Sequence, residues 1–152
     1  MTQLTKNFSL SELTKSNDAA RHGIDNTPTA EVVKNLQGLA DHILQPVRDH
    51  FGMVTVSSGF RCKALNEKIG GAKASDHMTG HAADFEVMGV ENRVLAEWIK
   101  TNLKFTQLIL EFPGQNPNDG WIHCSYNPAN LKNQCLTAIK QDGKTVYLNG
   151  LQ

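Results

Sequence analysis

An excess of charge of either sign is missing from this chain. Its 15 lysines and arginines balance 15 aspartates and glutamates. No basic stripe stands out either, so DNA and RNA make poor partners. No apolar run reaches the ~20 residues of a membrane span. The opening MTQLTKNFSLSEL lacks the apolar centre of a secretory signal, so synthesis in the cytoplasm without a signal peptide is the expectation. Cysteines are few and odd in number: Cys62, Cys124 and Cys135 make three, without paired spacing. That points away from a disulfide framework and toward free thiols. Internal repeats, low-complexity tracts and interdomain linkers are absent, and no G-x-S-x-G elbow marks a serine hydrolase. What is present is an ordinary globular composition, 39% hydrophobic and 20% charged, at a length suited to a single domain over residues 1–152.

The pattern along the chain is mixed. FSLSEL reads as a short helical turn anchored by Phe8, Leu10 and Leu13, followed by a polar loop, KSNDAARHGIDNTP. Thr27-Pro28 supplies an N-cap and a first-turn proline for a helix. Val32, Val33, Leu36, Leu39, Ala40, Ile43, Leu44 and Val47 then recur at helical spacing. Pro46 is expected to kink this helix, and Gly52 to cap its end. MVTVSSGF reads as a strand, KALNEKIG as a short helix, ASDHMTGH as a loop and AADFEV as a strand. ENRVLAEWIKTNL is an amphipathic helix expected to turn Val94, Leu95, Trp98 and Ile99 inward. QLILEF and GWIHCSY read as paired strands joined by PGQNPND, and TAIKQDGKTVYL as a hairpin turning at Asp142-Gly143. The fold class is α+β: a small, mainly antiparallel sheet with helices packed on one face.

Alternation assigns chemistry to the other face. Ala83, Phe85 and Val87 share one side of their strand, and Asp84 and Glu86 the other. Ile122 and Cys124 oppose Trp121, His123 and Ser125. Leu108, Leu110 and Phe112 oppose Ile109 and Glu111. Each strand can therefore bury an apolar back while presenting Asp84, His123 or Glu111 in front. Zinc takes imidazole nitrogen and carboxylate oxygen at about 2 Å. His77 and Asp84 lie seven residues apart. That separation is roughly 10 Å on a helix and roughly 23 Å on a strand, so the chain must turn between them if they share an ion. Gly80 lets it turn. Spacing alone leaves two readings open, a metal site or separate turn and surface roles. His22, His42 and His50 read as surface or satisfied histidines, and His81 as a solvated neighbour of the motif.

Ser75-x-His77-x-x-Gly80-x-Ala82-x-Asp84 resembles the S-x-H-x-x-G-x-A-x-D signature of the M15 zinc D-Ala-D-Ala carboxypeptidases. Upstream, Ser57-Ser58-Gly59-Phe60-Arg61 is similar to that family's S-G-Y/F-R segment, and Asn66 with Gly70-Gly71 to its N-x-x-x-G-G stretch. Trp121-Ile122-His123 resembles the W-x-H that carries the last ligand, so the likeness runs from about Phe8 to Tyr126. It implies a zinc peptidase acting on the stem peptides of bacterial peptidoglycan, with His77, Asp84 and His123 as metal ligands. The bond cut would be of the D-Ala-D-Ala carboxypeptidase or the L-Ala-D-Glu endopeptidase type.

Where many relatives place an acidic base three residues before the last histidine, this chain has Gly120, with Asp119 one residue off. Glu111 followed by Trp121-Ile122-His123-Cys124-Ser125 better resembles the Hedgehog signalling domain. Glu111 is therefore the expected general base. Arg61 is expected to hold the oxyanion or a substrate carboxylate, and Ser75 to touch substrate. The compact form resembles phage- or prophage-encoded wall peptidases, expected to be monomeric and to reach the wall after release or within a phage particle. The alternative is a non-catalytic, zinc-containing binding or structural module of such a particle.

Overall fold

The computed structural model describes residues 2–152. Phe8, just before helix α1 (Leu10–Thr14), and Leu13, within it, are buried where expected. Ser9 caps that helix, its hydroxyl accepting from the Glu12 amide at 3.2 Å. The expected polar loop contains a further single-turn helix, α2 (Asn17–Arg21), capped by Ser16.

Helix α3 (Ala30–Leu39) starts two residues later than Thr27-Pro28 suggested. Its N-cap is Thr29, which accepts from the Val32 amide at 3.3 Å. Thr27 is instead engaged by Asp25, whose carboxylate takes both its amide and its hydroxyl. Pro46 does not break the rod. The backbone widens into a π-helical segment over Ala40–Leu44 and continues as α4 (Gln45–Phe51), with the proline in that helix's first turn. The wider turn accommodates a ring that cannot donate to the helical ladder.

One six-stranded sheet follows: β1 (Val54–Ser58), β2 (Ala82–Val87), β3 (Gln107–Glu111), β4 (Trp121–Ser125), β5 (Gln134–Gln141) and β6 (Lys144–Asn149), in spatial order β1-β2-β4-β3-β5-β6. All pairings are antiparallel except β3 with β5. Helix α5 (Lys63–Lys68) follows β1, and a 3₁₀ turn over Asp76–Thr79 precedes β2. Helix α6 (Asn92–Asn102) packs against β2, β3 and β4. The predicted C-terminal hairpin is β5–β6, and both turn residues, Asp142 and Gly143, have positive φ, as a two-residue hairpin turn requires.

The apolar back of the sheet is complete. Ala83, Phe85, Leu108, Leu110, Ile122 and Cys124 are buried with Leu36, Leu39, Ile43, Leu95 and Ile99 of the helices in one core. Two faces differ from expectation. Val94 is 49% exposed, and the inner positions of α6 are Asn92, Leu95, Ala96 and Ile99. Phe112 leaves the apolar side altogether. It adopts φ 51°, ends β3, and lays its ring beside Trp121 on the front, 5.5 Å between centroids. Among the described residues, no helix is long and apolar enough to cross a membrane.

Candidate metal centre

The front of the sheet is organised by register. Asp84 on β2 lies directly opposite His123 on β4, and His123 lies opposite Ile109 on β3. A register shift between Val56 and Ser58 sets Ser58 against Asp84 on the other side. His77 arrives from the 3₁₀ turn. Ser75 caps that turn, accepting from the His77 amide at 3.2 Å. Gly80 ends it at φ 80°, with the Val32 carbonyl of α3 so close that a β-carbon there would collide. The glycine of the motif thus reverses the chain and lets the turn sit on the helix.

These placements bring three donor atoms together. His77 Nε2 and His123 Nδ1 lie 3.2 and 3.0 Å from Asp84 Oδ1, and one ligand atom from each residue falls within 4.8 Å of the others. His77 Nδ1 lies 2.7 Å from the Gly59 carbonyl oxygen. Because a carbonyl only accepts, that nitrogen carries the proton. In the neutral ring the Nε2 lone pair then faces the carboxylate of Asp84, a contact that a cation between them makes favourable. A histidine whose second nitrogen donates to a backbone carbonyl is a common supporting arrangement for metal ligands. Burial works against the charge on Asp84, yet the hydrogen bond from His123 and, when its ring is protonated, the contact with His77 prevail and hold its carboxyl well below the usual range. Two imidazoles and one oriented carboxylate fit a divalent, zinc-like ion.

Gly59 is fixed by packing. A β-carbon on it would strike the Leu13 carbonyl of α1, and the next amide, Phe60, donates to that same carbonyl at 2.8 Å. The Arg61 amide donates to the His77 carbonyl at 3.0 Å, tying the S-S-G-F-R segment to the metal-side turn. The Arg61 side chain is partly buried. Its terminal nitrogen reaches Ser75 Oγ at 3.4 Å, and its Nε is buried without a partner.

A cleft of about 490 Å³ covers this front. Arg61, Ser75, His77, Asp84, Glu111 and His123 all line it. Glu111 is only 9% exposed. Burial pushes its carboxyl up to about 7, with the neighbouring Asp84 charge adding to the rise and His123 opposing it. Asp119 lies elsewhere. Its carboxylate accepts from the Asn116 amide at 3.2 Å within the β3–β4 loop, and it borders a separate cavity of about 200 Å³. The remaining histidines also stand apart. His42 stacks on Tyr126, His50 stacks on Trp98, and His81 Nδ1 pairs with Thr79 Oγ1. Cys124 is fully buried on the opposite side of β4 from His123.

Sequence reasoning missed one wall of the cleft. Lys140 of β5, Thr145 and Tyr147 of β6, and Phe112 line it too. A signal was available in the alternation of Thr145, Tyr147 and Asn149 against Val146 and Leu148. Which side of the sheet they joined depends on the long-range parallel pairing of β5 with β3.

A mixed sheet with a dry back and a His–Asp–His cradle on its front defines an α+β domain built around a metal centre. A family model described as Peptidase M15 matches residues 6–125, and the chain belongs to that family. The zinc D-Ala-D-Ala carboxypeptidase of Streptomyces albus G is 38% identical over 76 residues, covering 48% of this chain and 29% of that protein. The aligned stretch thus spans less than a third of that relative's length.

Proposed function

We propose that this domain is a zinc metallopeptidase that hydrolyses peptide bonds in the stem peptides of bacterial peptidoglycan. The observation that carries this reading is the convergence of His77, Asp84 and His123 in the same cleft as the buried carboxyl of Glu111. Family membership supports it, as does the name of the Streptomyces relative. His77, Asp84 and His123 would hold the ion, with the Gly59 carbonyl orienting His77. Bound zinc supplies Lewis acidity and makes water a better nucleophile at neutral pH.

The protein's own groups handle the proton and the charge. Glu111 accepts a proton from the attacking water as its oxygen adds to the scissile carbonyl carbon. The carbon–nitrogen bond then breaks, and Glu111 returns the proton to the leaving amine. A base whose pKa sits near the working pH is suited to both steps. Arg61, with unused donors and no carboxylate partner among the described residues, faces the developing oxyanion or a substrate carboxylate. Ser75 both caps the turn and holds the guanidinium.

The test is digestion of purified peptidoglycan by the zinc-loaded protein, with muropeptides weighed by mass spectrometry. Loss of terminal D-Ala would identify a carboxypeptidase, and cleavage after L-Ala an endopeptidase. Unchanged muropeptides from protein with a full complement of zinc would reject hydrolysis and favour a zinc-containing binding module. The motif resemblance to phage- and prophage-encoded wall peptidases supports such a setting for this domain.

A further inference from the structure

Cations mark two ends of the cleft. Arg61 follows β1, at one edge of the sheet, and Lys140 lies on β5, beyond Asp84 on β2, His123 on β4 and Glu111 on β3. Neither cation joins an ion pair among the described residues. Lys140 is nevertheless held in place. Its ammonium donates to Thr145 Oγ1 at 3.1 Å and lies 5.5 Å from the centre of the Phe112 ring, whose face attracts a cation.

The register explains how the hairpin reaches the site. Glu111 is opposite Ala138, and Ala138 is opposite Tyr147. These three residues form one row on the front face, and the methyl group between the two larger side chains leaves room for the tyrosine ring to lean toward Glu111. Lys140 and Thr145 form the next row outward. Apart from Glu111, the residues of both rows lie beyond the family match, which ends at 125.

We propose that the β5–β6 hairpin supplies a second carboxylate-binding position for substrate, centred on Lys140 with Tyr147 beside it, at the end of the cleft away from Arg61. This rests on the peptidase reading of the same cleft. Strands β1 and β5 are four intervals apart in the sheet, about 19 Å at the usual strand spacing. An extended peptide of roughly six residues covers that distance. The ligand is therefore a peptide with two well-separated carboxylates, one for each cation. Phe112 and Trp121 form an apolar floor beside the second carboxylate, and the Tyr147 hydroxyl offers it an additional donor.

The experiment uses the zinc-loaded full chain and two synthetic stem peptides. They are identical except that the carboxylate distant from the Arg61 end is a free acid in one and a carboxamide in the other. For the free acid, Lys140→Gln should raise KM about two- to five-fold, the range of a partly exposed ion pair. Its kcat should hold, and the carboxamide should show no change. Lys140→Glu should raise KM further on the acid only, Lys140→Arg should restore selectivity, and Tyr147→Phe should act in the same direction more weakly. Melting temperatures of the variants would show that these exposed positions leave folding intact. Equal effects on both peptides, or none on either, would overturn the second position while leaving the peptidase reading standing. Failure of the unmodified protein to cut either peptide would overturn both.

Discussion

At the scale of residues, neighbours in sequence have opposite duties. His123 faces the cleft and Cys124 the core. His123→Ala should abolish stoichiometric zinc, read by metal analysis of the purified protein, while Cys124→Ser should retain it. Loss of metal in the serine variant would contradict the role given to strand register. Burial pushes the Cys124 thiol up, so alkylation of the folded protein should label Cys62 and Cys135 before it. Glu111→Gln should keep zinc and lower kcat by about two to four orders of magnitude, whereas Asp119→Asn should stay close to the unmodified rate. As the proposed general base Glu111 acts in its ionised form, so kcat/KM should climb as pH rises through its pKa. Its carboxyl is pushed to about 7, and the charge of a bound ion would lower that value. The rising limb should therefore fall at or below neutrality and disappear in Glu111→Gln. In the metal-free protein the same shift acts on stability with a definite sign. Ionising Glu111 in its buried place is penalised, so its contribution worsens as pH rises from the ordinary carboxyl range through about 7. Asp84 behaves oppositely: its lowered carboxyl stabilises above the ordinary range and loses that contribution on acidification.

At the scale of elements, the legible parts were those written in local periodicity. Alternation in AADFEV, QLILE and WIHCS placed the buried and chemical faces of β2, β3 and β4 as the structure shows them. Gly80 was readable as a turn, although the approach of α3 that also demands it was not. Phe112 was misplaced because alternation holds only while the strand continues, and its left-handed backbone ends β3 one residue early. Thr27 and Thr29 are equally good caps by type. Asp25 decides between them by occupying Thr27. Thr29→Ala should therefore cost about 1 kcal/mol in urea unfolding, and Thr27→Ala less. Gly59→Ala should be damaging, because Gly59 is buried. It would push on the Leu13 carbonyl and disturb the carbonyl that orients His77, so weaker zinc retention in competition with a chelator is the expected readout.

At the scale of the whole molecule, the motif residues gather because three elements far apart in sequence meet across one sheet. The resemblance carried by these motifs singled out His77, Asp84 and His123 without the fold, and the structure brings the three together. The hairpin wall of the cleft was not readable, since the β5–β3 pairing that brings it there leaves no mark in local pattern. Asp84 and His123 are partners across β2 and β4, and His77 hangs from the turn just before β2. An ion held by all three would clasp the middle of the sheet in addition to its backbone hydrogen bonds. Amide protons of β2 and β4 should then exchange with solvent more slowly in the zinc-loaded protein and speed up on chelation, while those of β6, three strands beyond β4, should change little. Deuterium uptake along the central strands would thereby serve as a gauge of how full the metal centre is, with no need for turnover at all.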